Sequence, residues 1–233
     1  MKILQVVHQF LPNYSTGTEN YTYDLAKSFV KNHKDKVYIF TTEPDSKIKQ
    51  IKYYKKDKIQ IIKVYKKKKA FTLKQAYIDY RMEEIFKELV ERIKPDIVLF
   101  QHFLNHSLGY YKILETKKIP YIFFVHDYWF MCPNIRAMKN NYQNCEILNL
   151  SRCRGCAGSY LNKRIPFAAK VIQYLFWNKN QLKKRIREIE KMLQKAKKII
   201  VFSNFSKKML TRNLKVNPKK IKIVAHGIKD FQE

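Results

Sequence analysis

The run "KILQVVHQFLPNYSTGTENYTYDLAKSFVKN", Lys2 to Asn32, decides the fold class. Its opening segment, Lys2–Val7, is a short apolar run that reads as a buried strand. "HQFLPNYSTGT" follows and is rich in turn formers. In "ENYTYDLAKSFVKN" the residues Tyr21, Leu25, Ala26 and Phe29 recur at helical spacing, so a helix is expected from near Glu19. Strand, loop and helix in that order make the opening unit of an α/β sheet.

The alternation continues outward from this unit. Strands are expected over Lys36–Thr42 and Lys58–Tyr65, joined by a lysine-rich connection. A long helix is expected over Leu73–Lys94, where Ile78, Met82, Ile85, Phe86, Leu89 and Ile93 form one apolar stripe and Pro95 ends it. "DIVLFQ" (Asp96–Gln101) is a buried strand, Ser107–Thr116 a helix, and "IPYIFFVHD" the next strand. Residues 128–159 have no clear period and hold every cysteine. Helical patterning resumes over Leu161–Lys195. "KKIIVFS", "NFSKKMLTRNL" and "KIKIVAHG" then give strand, helix and strand. The pattern predicts a mainly parallel sheet with helices on both faces. Ligands of such sheets bind beyond the carboxyl ends of strands, near the point where strand order reverses. Three places meet that condition: the loop after the first strand, His126, and Ser203.

In the first loop, Gly17 permits close backbone approach, and Thr18 can cap a helix opening at Glu19. A helix N-terminus offers free N–H groups and a positive dipole end, suited to phosphate. The segment is neither a dinucleotide fingerprint nor a P-loop, and a plain capped turn explains it equally well.

Lys+Arg number 48 against 19 Asp+Glu, a formal net charge of +29. That excess favours an anionic partner: nucleic acid, an anionic membrane surface or a phosphorylated substrate. Lysine-rich solvated helix faces account for it too. The 233 residues suffice for a real core, and an apolar fraction of 45% excludes a disordered chain. No secretory leader and no membrane-spanning run is legible. The chain is therefore expected in the cytoplasm, with peripheral contact at the inner face of the membrane as a further expectation.

Four segments together resemble glycosyltransferase family 4. "MKILQVVHQFLPNYSTGTENYTYDLAKSF" is similar to the family's opening strand, Pro-containing loop and glutamate-led helix, with Thr16-Gly17 where a glycine pair is usual. "VHDYWFMCPN" resembles its His-Asp motif, "IIVFSNFSKKML" its strand before a Ser-x-Phe segment, and "KIKIVAHGIKDF" its hinge, with His226 in place of the usual Asn. The resemblance implies the N-terminal, Rossmann-like half of a GT-B fold over residues 1–227, with a cysteine-containing insertion at about 128–160. The hinge would begin at 228–233, and the donor-binding second domain would lie beyond Glu233. It implies a retaining enzyme that moves a sugar from a nucleotide sugar to a glycan or lipid-linked acceptor. Thr16, Gly17 and Thr18 would face the donor diphosphate and acceptor, and His126 the donor sugar. Asp127 would orient the loop beside the substrate, and Ser203 would lie in the matching later segment. No carboxylate pair and no catalytic metal are expected, because the leaving phosphate would take the acceptor's proton.

Cys132, Cys145, Cys153 and Cys156 are spaced C-x12-C-x7-C-x2-C. Four thiolates in one loop, ending in "CRGC", fit a structural zinc site; plain thiols or a redox pair are the alternatives. Around Leu161–Lys195, Phe167, Val171, Tyr174, Leu175, Phe176 and Trp177 interleave with Lys163, Arg164 and Lys170. That suits a membrane interface, and a core-facing stripe with a solvated basic face suits it as well. The run "YKKKK" (Tyr65–Lys69) adds to the cationic surface. Two rival classes stand beside the enzyme: a zinc-stabilised nucleic-acid module, and a non-catalytic subunit that pairs with a separate catalytic half. The first is disfavoured because the basic residues are dispersed and no known nucleic-acid motif appears.

Overall fold

A computed structural model describes residues 1–44, 50–66, 77–132, 135–138, 143–153 and 179–227. Eight strands form one sheet. In chain order they are β1 (Lys2–Val7), β2 (Lys36–Pro44), β3 (Ile51–Lys56), β4 (Ile59–Lys66), β5 (Ile97–Phe100), β6 (Tyr121–Val125), β7 (Lys198–Val201) and β8 (Ile221–Ile223). Their spatial order is β3-β4-β2-β1-β5-β6-β7-β8, and all pairings are parallel except β3 with β4. The helices that frame the sheet and the site are α1 (Gly17–His33), α2 (Tyr80–Ile93), α3 (Tyr110–Thr116), α4 (Lys179–Lys195) and α5 (Asn204–Asn213).

Apolar side chains leave both faces of the sheet, so the strands read as continuous apolar runs. Leu4 and Val6 of β1 enter one core with residues of α2, α3, α4 and α5. Ile3 and Val7 enter the other, beneath α1 and its Ala26, Leu25 and Phe29. The period of two along β1 sends Gln5 to the α1 side, where it is fully buried. Phe86 of α2 stacks on Tyr110 of α3 at 4.2 Å, fixing that helix pair.

The expected order of elements is present, with four corrections. The connection before β4 is itself a strand. β3 runs antiparallel along the edge of the sheet, and Asp57 and Lys58 make the tight turn with φ of 49° and 65°. Two successive positive φ values suit a two-residue hairpin, but without glycine the turn left no sequence signal. The second helix begins at Tyr80 rather than Leu73. Asp79 caps it by accepting from the Met82 N–H at 3.1 Å, and the backbone before the cap is tied elsewhere: Leu108 N–H donates to Tyr77 O. Ser107 is likewise outside α3, its hydroxyl held by Glu83 and by the Asp79 N–H. The last strand pairs only over Ile221–Ile223, because its partner β7 spans four residues. Residues 73–76, the aromatic–basic stretch at 163–177, Lys67–Lys69, Cys156 and the hinge at 228–233 lie outside the described residues.

Candidate functional site

The strand order reverses between β1 and β5, and the carboxyl ends of these two strands open the crevice where α/β sheets bind ligands. Five of the six histidines sit at this edge: His8 after β1, His102 and His106 after β5, His126 after β6, and His226 after β8.

His126 is held by a chain of hydrogen bonds whose direction follows from its far end. The Thr22 carbonyl can only accept, so Gln5 Nε2 donates to it at 3.3 Å. Gln5 Oε1 then accepts from Gln101 Nε2 at 2.8 Å, leaving Gln101 Oε1 to accept from His126 Nε2 at 2.9 Å. His126 thus carries its proton on Nε2 and keeps the Nδ1 lone pair as an acceptor. Burial, then the neighbouring His102 and His226, push its pKa down to about 3, so it is neutral near pH 7. Its ring is walled by Phe202 at 4.8 Å and by Tyr21 of α1 at 5.1 Å, and Phe202 stacks on His226 at 3.8 Å.

Asp127 faces the loop. Its Oδ1 accepts the Trp129 N–H at 2.8 Å, and its Oδ2 lies 2.8 Å from His102 Nε2. His102 Nδ1 accepts the Leu104 N–H, so Nε2 bears the proton given to Asp127. Burial alone would raise Asp127; the His102 contact and the Trp129 N–H outweigh it and hold the carboxyl below its usual range. His8 packs on His102 with ring centroids 4.3 Å apart, and its Nε2 lies 3.4 Å from Glu19 Oε1. Burial, then His102, His106 and His126, drive the His8 pKa down to about 2. His106 donates to Val7 O at 2.8 Å and contacts the Tyr110 hydroxyl, which gives it a structural place.

Helix α1 opens at Gly17, so Thr16 is its N-cap and Thr18 is not. The Thr16 N–H and hydroxyl both donate to Glu19 Oε2, which sets a carboxylate at the positive end of the helix. A β carbon at Gly17 would meet nothing within 4 Å, so packing does not demand glycine there. Thr18 supplies the carbonyl that accepts the Thr22 hydroxyl at 2.7 Å. Tyr21 and Glu19 bring this loop to His126 and His8. Ser203 follows Phe202 at the same edge, with its hydroxyl engaged as the cap of α5 through the Ser206 N–H.

Cys132 follows the site loop, and its N–H donates to Tyr128 O at 2.7 Å. Cys153 is buried, and the Cys145 thiol reaches Ile147 O at 3.5 Å. Among the described residues no group of three His, Cys, Asp or Glu is placed to hold a metal ion. One unusual cation adjoins the cysteines. Arg185 of α4 is buried, donates from Nη2 to Trp129 O, lies over the Trp129 ring at 4.7 Å, and leaves Nη1 without a hydrogen-bond partner among the described residues. Burial lowers its pKa to about 10, and the nearby Cys132, Tyr77 and Cys153 oppose that fall.

Sequence reading missed His8, His102, Gln5 and Gln101. A glutamine inside an otherwise apolar strand is the signal that could have found the last two, since a buried amide needs partners.

The Glycosyltransferase Family 4 profile matches residues 15–230. No curated protein sequence matches the chain. Among solved structures, a sucrose-phosphate synthase from Thermosynechococcus elongatus is similar with a TM-score of 0.55 at 10% identity, over 97% of this chain and 48% of that one. A trehalose-phosphate synthase from Burkholderia xenovorans, in complex with glucose-6-phosphate, gives 0.44 at 12% identity over 87% and 40%. The chain spans about half the length of these structures.

Proposed function

Because the chain belongs to glycosyltransferase family 4, we propose that it forms the acceptor-side half of an enzyme that moves a sugar from a nucleotide sugar to a glycan or lipid-linked acceptor, retaining the anomeric configuration. One observation carries the reading: the directed chain Thr22–Gln5–Gln101–His126, which presents a neutral imidazole with an open Nδ1 at the crevice edge.

A neutral histidine locked in this tautomer suits recognition more than proton donation. Nδ1 accepts a hydrogen bond from a hydroxyl of the donor sugar, and Phe202 and Tyr21 flank its apolar faces. The reaction breaks the anomeric carbon–oxygen bond to the diphosphate and forms one to the acceptor oxygen. The acceptor's proton passes to the leaving phosphate. In this reading the Gly17 and Thr18 amides, at the positive end of α1, meet the diphosphate, while Glu19 already holds Thr16. Asp127 keeps the loop beyond His126 in place.

A structural zinc ion is part of the same proposal. A buried Arg185 with an unpartnered Nη1 beside Cys132 and Cys153 fits negatively charged thiolates at that place. Cys132 and Cys153, with Cys145 and Cys156, would hold the ion and staple the insertion.

Calorimetric titration with UDP-, GDP- and ADP-sugars tests the donor-side role. At least one should bind, and His126→Ala should weaken it about tenfold, the worth of one good hydrogen bond. If binding is equally strong without the imidazole, His126 is not a donor-site residue.

A further inference from the structure

The exposed residues of helix α4 carry one sign of charge, while its partly buried carboxylates are engaged: Glu188 pairs with Lys112 and Lys191, and Glu190 accepts the Lys215 N–H. Eight of its residues are exposed, and six of them are cations: Lys179, Lys183, Lys184, Arg187, Lys191 and Lys195; the other two are Asn180 and Gln194. Five of the six follow one another at intervals of four. At 3.6 residues per turn, all six fall within an arc of about 160°, along some 24 Å of helix. The buried Leu182, Arg185, Ile189, Met192 and Leu193 occupy the opposite side.

Lysine-rich composition does not by itself produce this face. Helix α2 belongs to the same core layer, and its exposed residues are Tyr80, Arg81, Glu84, Lys87, Glu88, Glu91 and Arg92, with signs in balance. On α4, Lys191 pairs with Glu188 at 3.0 Å, and Lys195 pairs with Glu115. Lys179, Lys183, Lys184 and Arg187 form no ion pair among the described residues. Like charges four apart cost a helix stability, so an unpaired row is a feature the fold does not need for itself.

We propose that this face of α4 docks on an anionic membrane surface. Five of the six cations are lysines, compact point charges that suit a diffuse field of lipid phosphates better than the forked recognition arginine gives. The exposed row contains no aromatic residue on which a nucleic-acid base would stack. The placement is also productive. Met192 near the end of α4 accepts the Tyr121 hydroxyl at the start of β6, whereas Arg185 bonds Trp129 just past the end of β6. Helix α4 therefore runs against the strands, and its unpaired Lys179–Arg187 half lies at the crevice edge. A lipid-linked acceptor held in the docked surface would arrive beside His126; this last step rests on the proposed transfer reaction.

Sedimentation of the chain with phosphatidylcholine vesicles, with and without phosphatidylglycerol, tests the surface. Binding should require the anionic lipid and weaken with added salt. K179Q/K183Q/R187Q should lower the partition at least ~10-fold, given the contribution of each basic residue near a charged surface. K31Q/R81Q/K87Q removes the same charge elsewhere and should change it less than ~3-fold, with circular dichroism confirming that both variants fold. Equal losses in the two variants, or no binding by the wild type, would overturn the proposal. So would tighter binding to a DNA duplex at the same ionic strength. The vesicles contain no sugar acceptor, so failure here leaves nucleotide-sugar titration to judge the transfer reaction separately.

Discussion

His8 and His102 meet with ring centroids 4.3 Å apart where the strand order reverses, one from the end of β1 and the other from just beyond β5. The contact joins the two halves of the sheet at the crevice, and Asp127 extends it from β6 by accepting from His102. Removing that carboxylate should loosen the crevice. Asp127→Ala leaves His102 Nε2–H and the Trp129 N–H without their partner and should cost about 1–3 kcal/mol. Asp127→Asn can keep one of the two bonds and should cost about half as much. Urea unfolding of the three proteins decides the matter; equal stability of wild type and Asp127→Ala would show that Asp127 does not anchor the loop.

Acid should destabilise the fold through its buried histidines. The pKa values of His8, His106 and His126 fall from 6.5 to about 2, 3 and 3, chiefly by burial. The unfolded chain takes up protons below pH 6.5 that the folded chain refuses until far lower pH. Stability from these groups is therefore complete above pH 6.5 and is lost as pH falls toward their folded values. At pH 5 the fully buried His106 should account for about 2 kcal/mol, and the less completely buried His126 for less. Denaturant midpoints at about pH 7 and 5 give the check, and an unchanged midpoint would mean that these rings charge freely in the folded state.

The sheet was legible because burial on both faces writes each parallel strand as an apolar run, such as Lys2–Val7 or Ile97–Phe100. Strand β3 was not, since an exposed edge strand of sequence IKYYKK carries no such run and its Asp57–Lys58 turn lacks glycine. His126 stood out because it follows directly on an apolar strand. Its tautomer did not, because Gln5 and Gln101 lie 96 residues apart in sequence and meet only through the β1–β5 pairing. Asp79 was hidden for a different reason. The apolar stripe runs uninterrupted through Ile78, and the helix is stopped there by the Asp79 cap and by the bond from Leu108 N–H to Tyr77 O, which is non-local in sequence.

Arg185 gives the cysteine proposal a measurable consequence. A buried guanidinium with an unpartnered Nη1 is costly unless negative charge stands nearby. Metal analysis of chain purified without chelator should give close to one zinc per chain, and Cys132→Ser with Cys153→Ser should remove it. Arg185→Leu should lower thiolate character, so zinc release by a chelator should become faster. Four rapidly titrating thiols and no metal in the folded wild type would rule the site out.

The direction of the glutamine relay fixes the tautomer of His126. Since Thr22 O can only accept, His126 must hold its proton on Nε2. Nitrogen NMR of labelled imidazole should show that tautomer, with Nδ1 unprotonated, at about pH 5 to 8, because burial holds the pKa near 3. Gln101→Glu places a carboxylate against Nε2 and should raise the His126 pKa, since negative charge favours the imidazolium. Gln101→Leu strands both Gln5 and His126, should cost about 1–3 kcal/mol, and should let the imidazole proton exchange between nitrogens. A wild-type spectrum with the proton on Nδ1 would reverse the relay and remove the lone pair assigned to the donor sugar.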